Sequence, residues 1–265
     1  MKCFSIDLDG TFLNSDGKIP EENLAALKYL QDKGHKVLIN TGRAIEDVIS
    51  MVPLKQTKVP IISINGTVLY SENRNLIYET SIPVSTYKQL LSLLKPFDLR
   101  IMIYTNQGGF PCRNPELKGK SEDEIEAIFN QYDYDQLLKK EDIKIYKVMA
   151  VARPGELHKI EEVKDACKSI PDINQASSHE NNIEFTSAEA DKGNAILRYQ
   201  QLIGVRFDEI FAFGDGGNDL SQFRVATTSV AMENAPSYVR ERADLITKSN
   251  DENGFSYAIH ELLKI

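Results

Sequence analysis

The feature that most restricts this chain is a strand–turn–helix alternation that begins near the N-terminus, breaks off, and resumes near the C-terminus. Lys2-Cys-Phe-Ser-Ile-Asp-Leu is a short apolar run that ends in carboxylates and Gly10. A helical pattern follows from Pro20 to about Lys33, with Leu24, Leu27, Tyr29 and Leu30 supplying its inner face. Proline suits a first helical turn, and Gly34 suits a stop. A buried-type strand, Lys36-Val-Leu-Ile-Asn, leads into Thr41-Gly42-Arg43, which opens a second helix, and the apolar run Val59 to Ile64 ends at Asn65-Gly66. Near the far end a helix from about Asp191 to Ile203 precedes the strand Glu209-Ile-Phe-Ala-Phe and the loop Gly214-Asp-Gly-Gly-Asn-Asp. A further helix, the strand Ser229-Val-Ala-Met, a helix begun by Pro236 and an amphipathic stretch from Phe255 to Leu263 complete the pattern. Strands alternating with helices in this way predict βαβ units, hence an α/β fold on a mostly parallel sheet.

Between the halves the texture differs. The pattern predicts a helix from Val84 to Leu94, two strands near 99–113, and a helix from Glu122 to Tyr132. A strand from Ile143 to Val151, a helix from Gly155 to Lys168 and two closing strands around 172–187 follow, with Pro83, Pro111 and Pro115 in loops. The Tyr132-Asp-Tyr-Asp stretch reads as a solvated loop. The expected organisation is a core of 1–80 and 188–265 interrupted by an α+β unit at 81–187, which suits 265 residues. A formal net charge of −8 opposes a nucleic-acid or anionic-membrane surface. Cys3, Cys112 and Cys167 lack CxxC spacing and read as reduced thiols. No apolar run approaches a membrane span, and the N-terminal run, broken by aspartates, is unlike a signal peptide. The expected address is cytoplasmic; the oligomeric state is not legible.

Asp7 and Asp9 stand two apart at the end of the first strand, where period-two geometry is expected to turn both toward one face. Two such carboxylates repel unless one keeps its proton or a hard divalent cation intervenes, and oxygen ligands of this kind suit Mg²⁺. Gly10 allows a sharp turn, and the amides just after Asp7 can face an anion. An acidic loop capping a strand is the plainer alternative. Asp215 ends the strand running to Phe213, in a glycine-rich loop that suits a turn as well as a metal site. Asn218 is expected to cap the following helix, and Asp219 to hold a water or a neighbouring basic group behind the site. Thr41 ends another strand, where its hydroxyl and the Gly42 amide suit either a phosphoryl oxygen or a helix start. Lys192, opening a helix, reads alone as a surface lysine. Yet ligands of open parallel sheets bind outside the carboxyl ends of the strands, and Asp7, Asp9, Thr41 and Asp215 all stand at such ends. The histidines His35, His158, His179 and His260 have no metal-ligand spacing. Nucleotide-binding glycine loops and a Gly-x-Ser-x-Gly elbow are absent from the sequence.

In this order the residues resemble the haloacid dehalogenase superfamily. Asp7-Leu-Asp-Gly-Thr is similar to its first motif, Thr41 to its second, Lys192 to its third and Gly214-Asp-Gly-Gly-Asn-Asp to its fourth, and the likeness runs from Phe4 to Ile259. The short loop Asn14-Ser-Asp-Gly17 leaves no room for a large insertion after the first motif. The insertion between the second and third resembles the C2B cap of Cof-like, subclass IIB phosphatases. Asn65-Gly66, Ile183-Glu184 and Ala231-Met-Glu-Asn-Ala235 fit the habits of that group. The resemblance implies a Rossmann-like core and a Mg²⁺-dependent phosphomonoesterase acting on a small phosphorylated metabolite, such as a sugar phosphate. It implies Asp7 as nucleophile, forming aspartyl phosphate, and Asp9 as general acid and base. Mg²⁺ would be held by Asp7, the Asp9 carbonyl and Asp215. Lys192, Thr41, Asn218 and the Leu8 and Gly42 amides would hold the transferring oxygens, Arg43 and Asn65 would face substrate, and the inserted unit would select it.

Two departures stand out. The helix after the fourth motif reads Leu220-Ser-Gln-Phe, where Cof-like members usually place a methionine, and Glu233 stands where glycine is usual. Neither is expected to touch a residue with a chemical role. A phosphomannomutase-like phosphotransferase uses the same core and cap type, and a non-catalytic phosphometabolite-binding protein is the alternative from another class. A receiver domain shares the carboxylate–threonine–lysine set but has about half this length.

Overall fold

The computed structural model describes every residue except Arg113, and only the backbone of Asn114 and Pro115. The chain divides into two compact units, Met1–Glu79 with Ala190–Ile265, and Thr80–Glu189. Residue 113, the expected end of a strand, lies outside the described residues.

In the first unit the strands are β1 (Cys3–Ile6), β2 (Lys36–Asn40), β3 (Ile61–Ser63), β4 (Val68–Tyr70), β5 (Leu76–Glu79), β11 (Ile210–Gly214), β12 (Thr228–Ala231) and β13 (Leu245–Ile246). They form one sheet in the order β13-β12-β11-β1-β2-β3-β4-β5, parallel except for the antiparallel β3–β4 and β4–β5 pairs. Helices α1 (Glu21–Asp32), α2 (Ile45–Ser50), α3 (Val52–Gln56), α9 (Lys192–Leu202), α10 (Leu220–Val225), α11 (Ser237–Arg240) and α12 (Gly254–Tyr257) accompany it. Strand alternation sends Phe4, Ile6, Ile39, Phe211 and Phe213 to one core with Leu27 and Leu30 of α1 and Phe255 of α12. Cys3, Leu38 and Ile62 go to another with Ile196 and Tyr199 of α9. The central strands are therefore buried on both faces, as a parallel sheet requires. On the α9 face the pattern turns polar toward the carboxyl ends, where Ser5 and Asn40 follow Cys3 and Leu38 by two residues and are just as buried.

The second unit is a five-stranded antiparallel sheet of β6 (Arg100–Thr105), β7 (Gly108–Phe110), β8 (Ile145–Val151), β9 (Ile173–Ala176) and β10 (Asn182–Ser187), in the order β7-β6-β8-β10-β9. Its helices are α4 (Val84–Leu94), α5 (Asn114–Leu117), α6 (Glu122–Asn130), α7 (Tyr134–Leu137) and α8 (His158–Cys167). Tyr87 and Leu90 of α4 and Ile160 and Val163 of α8 pack on the face made by Ile101, Ile103, Val148, Ala150, Ile183 and Phe185. On the opposite strand parity Lys147 lies 3.3 Å from Glu184, both buried.

Several expectations need correction. The second helix does not open at Thr41-Gly42-Arg43 but at Ile45, because the amides of Asn65 and Ile64 bond to the carbonyls of Thr41 and Arg43 and keep that segment extended. Strands β4, β5 and β13 went unread, since runs of two to four residues hold too few alternations to register. Pro115 lies within α5, near its start, where a missing amide hydrogen is harmless. The Tyr132–Asp135 stretch is not a solvated loop: it enters α7, Tyr134 stacks edge-on against Tyr132 at 5.0 Å, and its hydroxyl donates to the Ile101 carbonyl at 2.6 Å. Among the described residues no helix is long and apolar enough to cross a membrane.

Glu126 ties α6 to the sheet, accepting from Arg153 Nε at 2.8 Å and from Arg100 Nε at 2.6 Å. Arg153 first and Arg100 second draw its carboxyl down from 4.5 to about 2. A depressed folded-state value stabilises the fold above the unfolded value and is lost as pH falls through the folded one. The urea midpoint of the wild type should therefore exceed that of Glu126→Gln at pH 7, with the gap closing between about 4.5 and about 2. Urea titrations of both proteins across that range measure it.

Candidate active site

The site is built at the carboxyl ends of four neighbouring strands, β11, β1, β2 and β3. Strand β1 stops at Ile6, and its successor Asp7 is still tied to the sheet by its amide, which donates to the Phe213 carbonyl at 3.1 Å. The chain then closes a wide turn in which the Leu13 amide reaches the Leu8 carbonyl at 2.9 Å. Gly10 makes this possible. Its φ is +70°, and a Cβ there would lie 2.2 Å from Asp215 Oδ2, so both conformation and space demand glycine.

Asp7 and Asp9 consequently do not project as a period-two pair. Asp7 turns inward, and its Oδ1 accepts from Lys192 Nζ at 2.6 Å. Asp9 turns outward, its side chain 57% exposed, and takes a two-pronged contact from the Arg43 guanidinium, with Nε at 2.7 Å from Oδ2. The carboxylates that do converge are Asp7, Asp215 and Asp219, one oxygen of each lying within 4.8 Å of the others.

Lys192 is not a surface lysine. It is wholly buried, and the same ammonium that meets Asp7 donates to Asp219 Oδ1 at 2.6 Å. Burial alone would discharge it, but Asp219 and Asp7 outweigh that penalty and hold its pKa above the ordinary lysine range. Three carboxylates against one ammonium leave surplus negative charge. Burial, followed by Asp219, lifts Asp215 to about 7. Burial likewise raises Asp7 well above the usual carboxylate range, against the pull of Lys192 and with Asp219 and Asp215 adding to the rise.

That surplus and its oxygen donors fit a hard divalent cation. Asp219 is the least available of the three carboxylates, being held by four donors: Lys192 Nζ, Gln222 Nε2 at 2.8 Å, and the amides of Asp215 at 3.0 Å and Gly216 at 2.9 Å. Asp7 and Asp215 remain to face a cation, with Thr11 Oγ1 steadying Asp215 Oδ1 at 2.9 Å.

Asn218 does not cap the following helix. Its side chain donates instead to Asn65 Oδ1 at 3.1 Å, while Asp219 gathers the loop amides. Gly42 lies beside this asparagine pair, since a Cβ there would stand 3.1 Å from Asn65 Oδ1. Thr41 is fully buried, and its hydroxyl accepts the Arg43 amide at 3.2 Å. Leu8 is buried within the turn after Asp7.

Sequence reasoning missed the layer beneath. Ser5, Asn40 and Gln222 are all buried and mutually bonded, and Gln222 reaches Asp219, so one of the two departures does touch a residue at the centre of the site. The available signal was polarity: Ser5 and Asn40 interrupt apolar strands, and Gln222 follows Asp219 by three residues, one helical turn.

Residues 4–259 match the family model of the haloacid dehalogenase-like hydrolases. A 5-amino-6-(5-phospho-D-ribitylamino)uracil phosphatase of Bacillus subtilis, YwtE, is 33% identical over 99% of this chain and 98% of its own. The phosphatase YwpJ of the same organism is 31% identical over 99% of this chain and all of its own. The solved structure of a haloacid dehalogenase-like hydrolase from B. subtilis superposes with a TM-score of 0.86 at 28% identity, covering 99% of this chain and 100% of the other. A subclass IIB sugar phosphatase of the superfamily shares the fold, with a TM-score of 0.78 at 22% identity and full coverage of both chains.

Removing Lys192 would leave Asp7 and Asp219 buried and facing one another. Lys192→Ala should lower the unfolding free energy by about 3–5 kcal/mol, the usual cost of orphaning a buried charge. The same change at exposed Lys28 should cost less than about 0.5 kcal/mol. Urea unfolding in metal-free buffer compares the two.

Proposed function

Because the chain belongs to the haloacid dehalogenase-like hydrolases, a phosphatase family acting on phosphorylated substrates, we propose that it is a Mg²⁺-dependent phosphomonoesterase of a small phosphorylated metabolite. The observation that carries this reading is the buried Asp7–Lys192–Asp219 array with Asp215 beside it. An anionic oxygen held by an ammonium at a strand terminus is suited to attack phosphorus, and the ammonium is suited to the charge of the phosphoryl oxygens.

In this reading an Asp7 carboxylate oxygen bonds to phosphorus as the bond from phosphorus to the ester oxygen breaks, in line. Asp9 gives a proton to the departing alcohol, then takes one from the water that attacks the aspartyl phosphate. That second displacement frees inorganic phosphate and restores the Asp7 carboxylate. Lys192, Thr41, Asn218 and the Leu8 and Gly42 amides hold the phosphoryl oxygens in both steps. When bound to Asp7, Asp215 and the Asp9 carbonyl, Mg²⁺ supplies charge neutralisation and alignment of the phosphoryl group. In this reading Arg43, which pairs with Asp9, and Asn65, which accepts from Asn218, face the anionic substrate. Selection among metabolites is assigned to Thr80–Glu189, because the residues named here handle only phosphate, metal and proton.

The name borne by the 33% identical relative makes 5-amino-6-(5-phospho-D-ribitylamino)uracil a first compound to test, beside sugar phosphates, sugar-alcohol phosphates and pyridoxal phosphate. The purified chain should release phosphate from at least one of these with Mg²⁺ and from none after exhaustive chelation. Asp7→Asn should lose release altogether with an unchanged far-ultraviolet circular dichroism spectrum. Release by Asp7→Asn would remove the nucleophile assignment, and a sugar bisphosphate product would replace hydrolysis by transfer.

Asp9 is tested separately by the leaving group. An aryl phosphate departs without a proton, whereas an alkyl phosphate needs one. In single-turnover assays Asp9→Asn should slow the first step for the alkyl ester by at least about tenfold more than for the aryl ester, within the range of general acid catalysis. Equal losses would reduce Asp9 to structure.

A further inference from the structure

Below the reacting group lies a buried set of hydrogen bonds in which Asn40 Oδ1 alone of the Ser5, Asn40 and Gln222 side-chain atoms has no partner. Gln222, on α10, has both amide hydrogens and its carbonyl engaged. Nε2 donates to Asp219 Oδ1 at 2.8 Å and to the Phe213 carbonyl at 3.1 Å. Oε1 accepts from Ser5 Oγ at 2.7 Å and from Asn40 Nδ2 at 3.2 Å. Asn40 Nδ2 also meets Ser5 Oγ at 3.1 Å and the main-chain carbonyl of Lys192 at 3.0 Å. All three side chains are wholly buried. Lys192 is thus held at two points by one network: its backbone by Asn40, and its ammonium through Asp219 by Gln222.

We infer that Gln222, supported by Ser5 and Asn40, is a positioning residue that aims the Lys192 ammonium at Asp7. The reason lies in the freedom of the parts. A lysine head on a four-carbon stem has many rotamers, and Asp219 sits on a glycine-rich loop. Two of the four donors that hold Asp219 are amides of that same loop, so they fix its shape but not its position against α9. Gln222 adds the fixed reference. Its second hydrogen is anchored on the Phe213 carbonyl in β11, and its oxygen on β1 and β2 side chains, so Asp219 Oδ1 is located relative to the strand that carries Asp7. A methionine here, with no donor and at best a weak acceptor, would break every one of these bonds. The close packing of the helices supports the same conclusion. A Cβ on Gly193 would lie 2.3 Å from the Ser221 carbonyl, so α9 and α10 meet backbone to backbone next to Lys192 and Gln222.

This inference rests on the phosphatase reading for its kinetic consequence but not for its structural one, and the experiment uses both. In Gln222→Met, kcat on the best substrate should fall about tenfold, the lower range for partners of a site's primary residues, with KM within about twofold. The ammonium hydrogens of Lys192, followed by ¹⁵N–¹H NMR in the full chain, should exchange with water at least about tenfold faster as local opening becomes easier. Ser5→Ala removes a single donor from a strand that tolerates alanine, and should move both readouts the same way by less. It stands in if the methionine variant fails to fold. An unchanged exchange rate and kcat in either folded variant overturns the inference. Faster exchange in a protein whose parent hydrolyses none of the tested esters upholds the link from Gln222 to Lys192 and overturns the phosphatase reading instead.

Discussion

Lys192 carries a full positive charge into a region closed to solvent, and the surrounding structure is organised around that charge. An ammonium stripped of water is tolerable only with anionic partners at hydrogen-bond distance, which Asp7 and Asp219 provide. Those partners must come from elements that do not depend on lysine for their own placement. Asp7 is secured through the β1–β11 pairing, and Asp219 through the amides of its loop. The lysine contributes little of its own geometry: it stands at the first position of α9, whose start is fixed by Asp191 accepting the Asn194 amide at 2.7 Å.

Electrostatically the array is unbalanced by design of its residues. Burial first, and then the excess of carboxylates over the one ammonium, raises the proton affinity of Asp7 and Asp215 above the usual carboxylate range. The imbalance has a direction, because Asp219 is saturated by donors while Asp215 receives a single side-chain bond from Thr11. Positive charge brought to this site would therefore be felt first along the Asp7–Asp215 side.

Much of this was legible. The apolar runs ending in Asp7, Thr41, Asn65 and Asp215 marked four strands whose carboxyl ends hold the polar residues, because a buried strand most easily accommodates such groups where it leaves the sheet. The helix–strand order of the second unit was legible for a similar reason: its helices carry clean apolar faces, Tyr87, Leu90 and Leu94 among them. What stayed hidden depends on contacts across long sequence separations. The burial of Lys192 is decided by residues 185 and 27 positions away, and nothing in Asp191-Lys192-Gly193 announces it. The divergence of Asp7 from Asp9 was hidden too, since it follows from where β1 stops and how Gly10 turns. Gln222 looked like an idle departure because its value lies in what it touches, not in its own chemistry.

Strand order carries a last consequence, for the time at which the site comes into being. During synthesis β1 emerges first, yet its partner on one side, β11, begins at Ile210, more than two hundred residues later. The second unit is a continuous segment, so all its strands leave the ribosome before β11, β12 and β13 do. The first unit has no such freedom: one edge of its future central strand must wait unpaired, and such an edge invites wrong partners. Asp7 is thus made well before its charge partners, and a nascent chain halted before Lys192 possesses the Asp7 carboxylate without any of the groups that face it in the folded site.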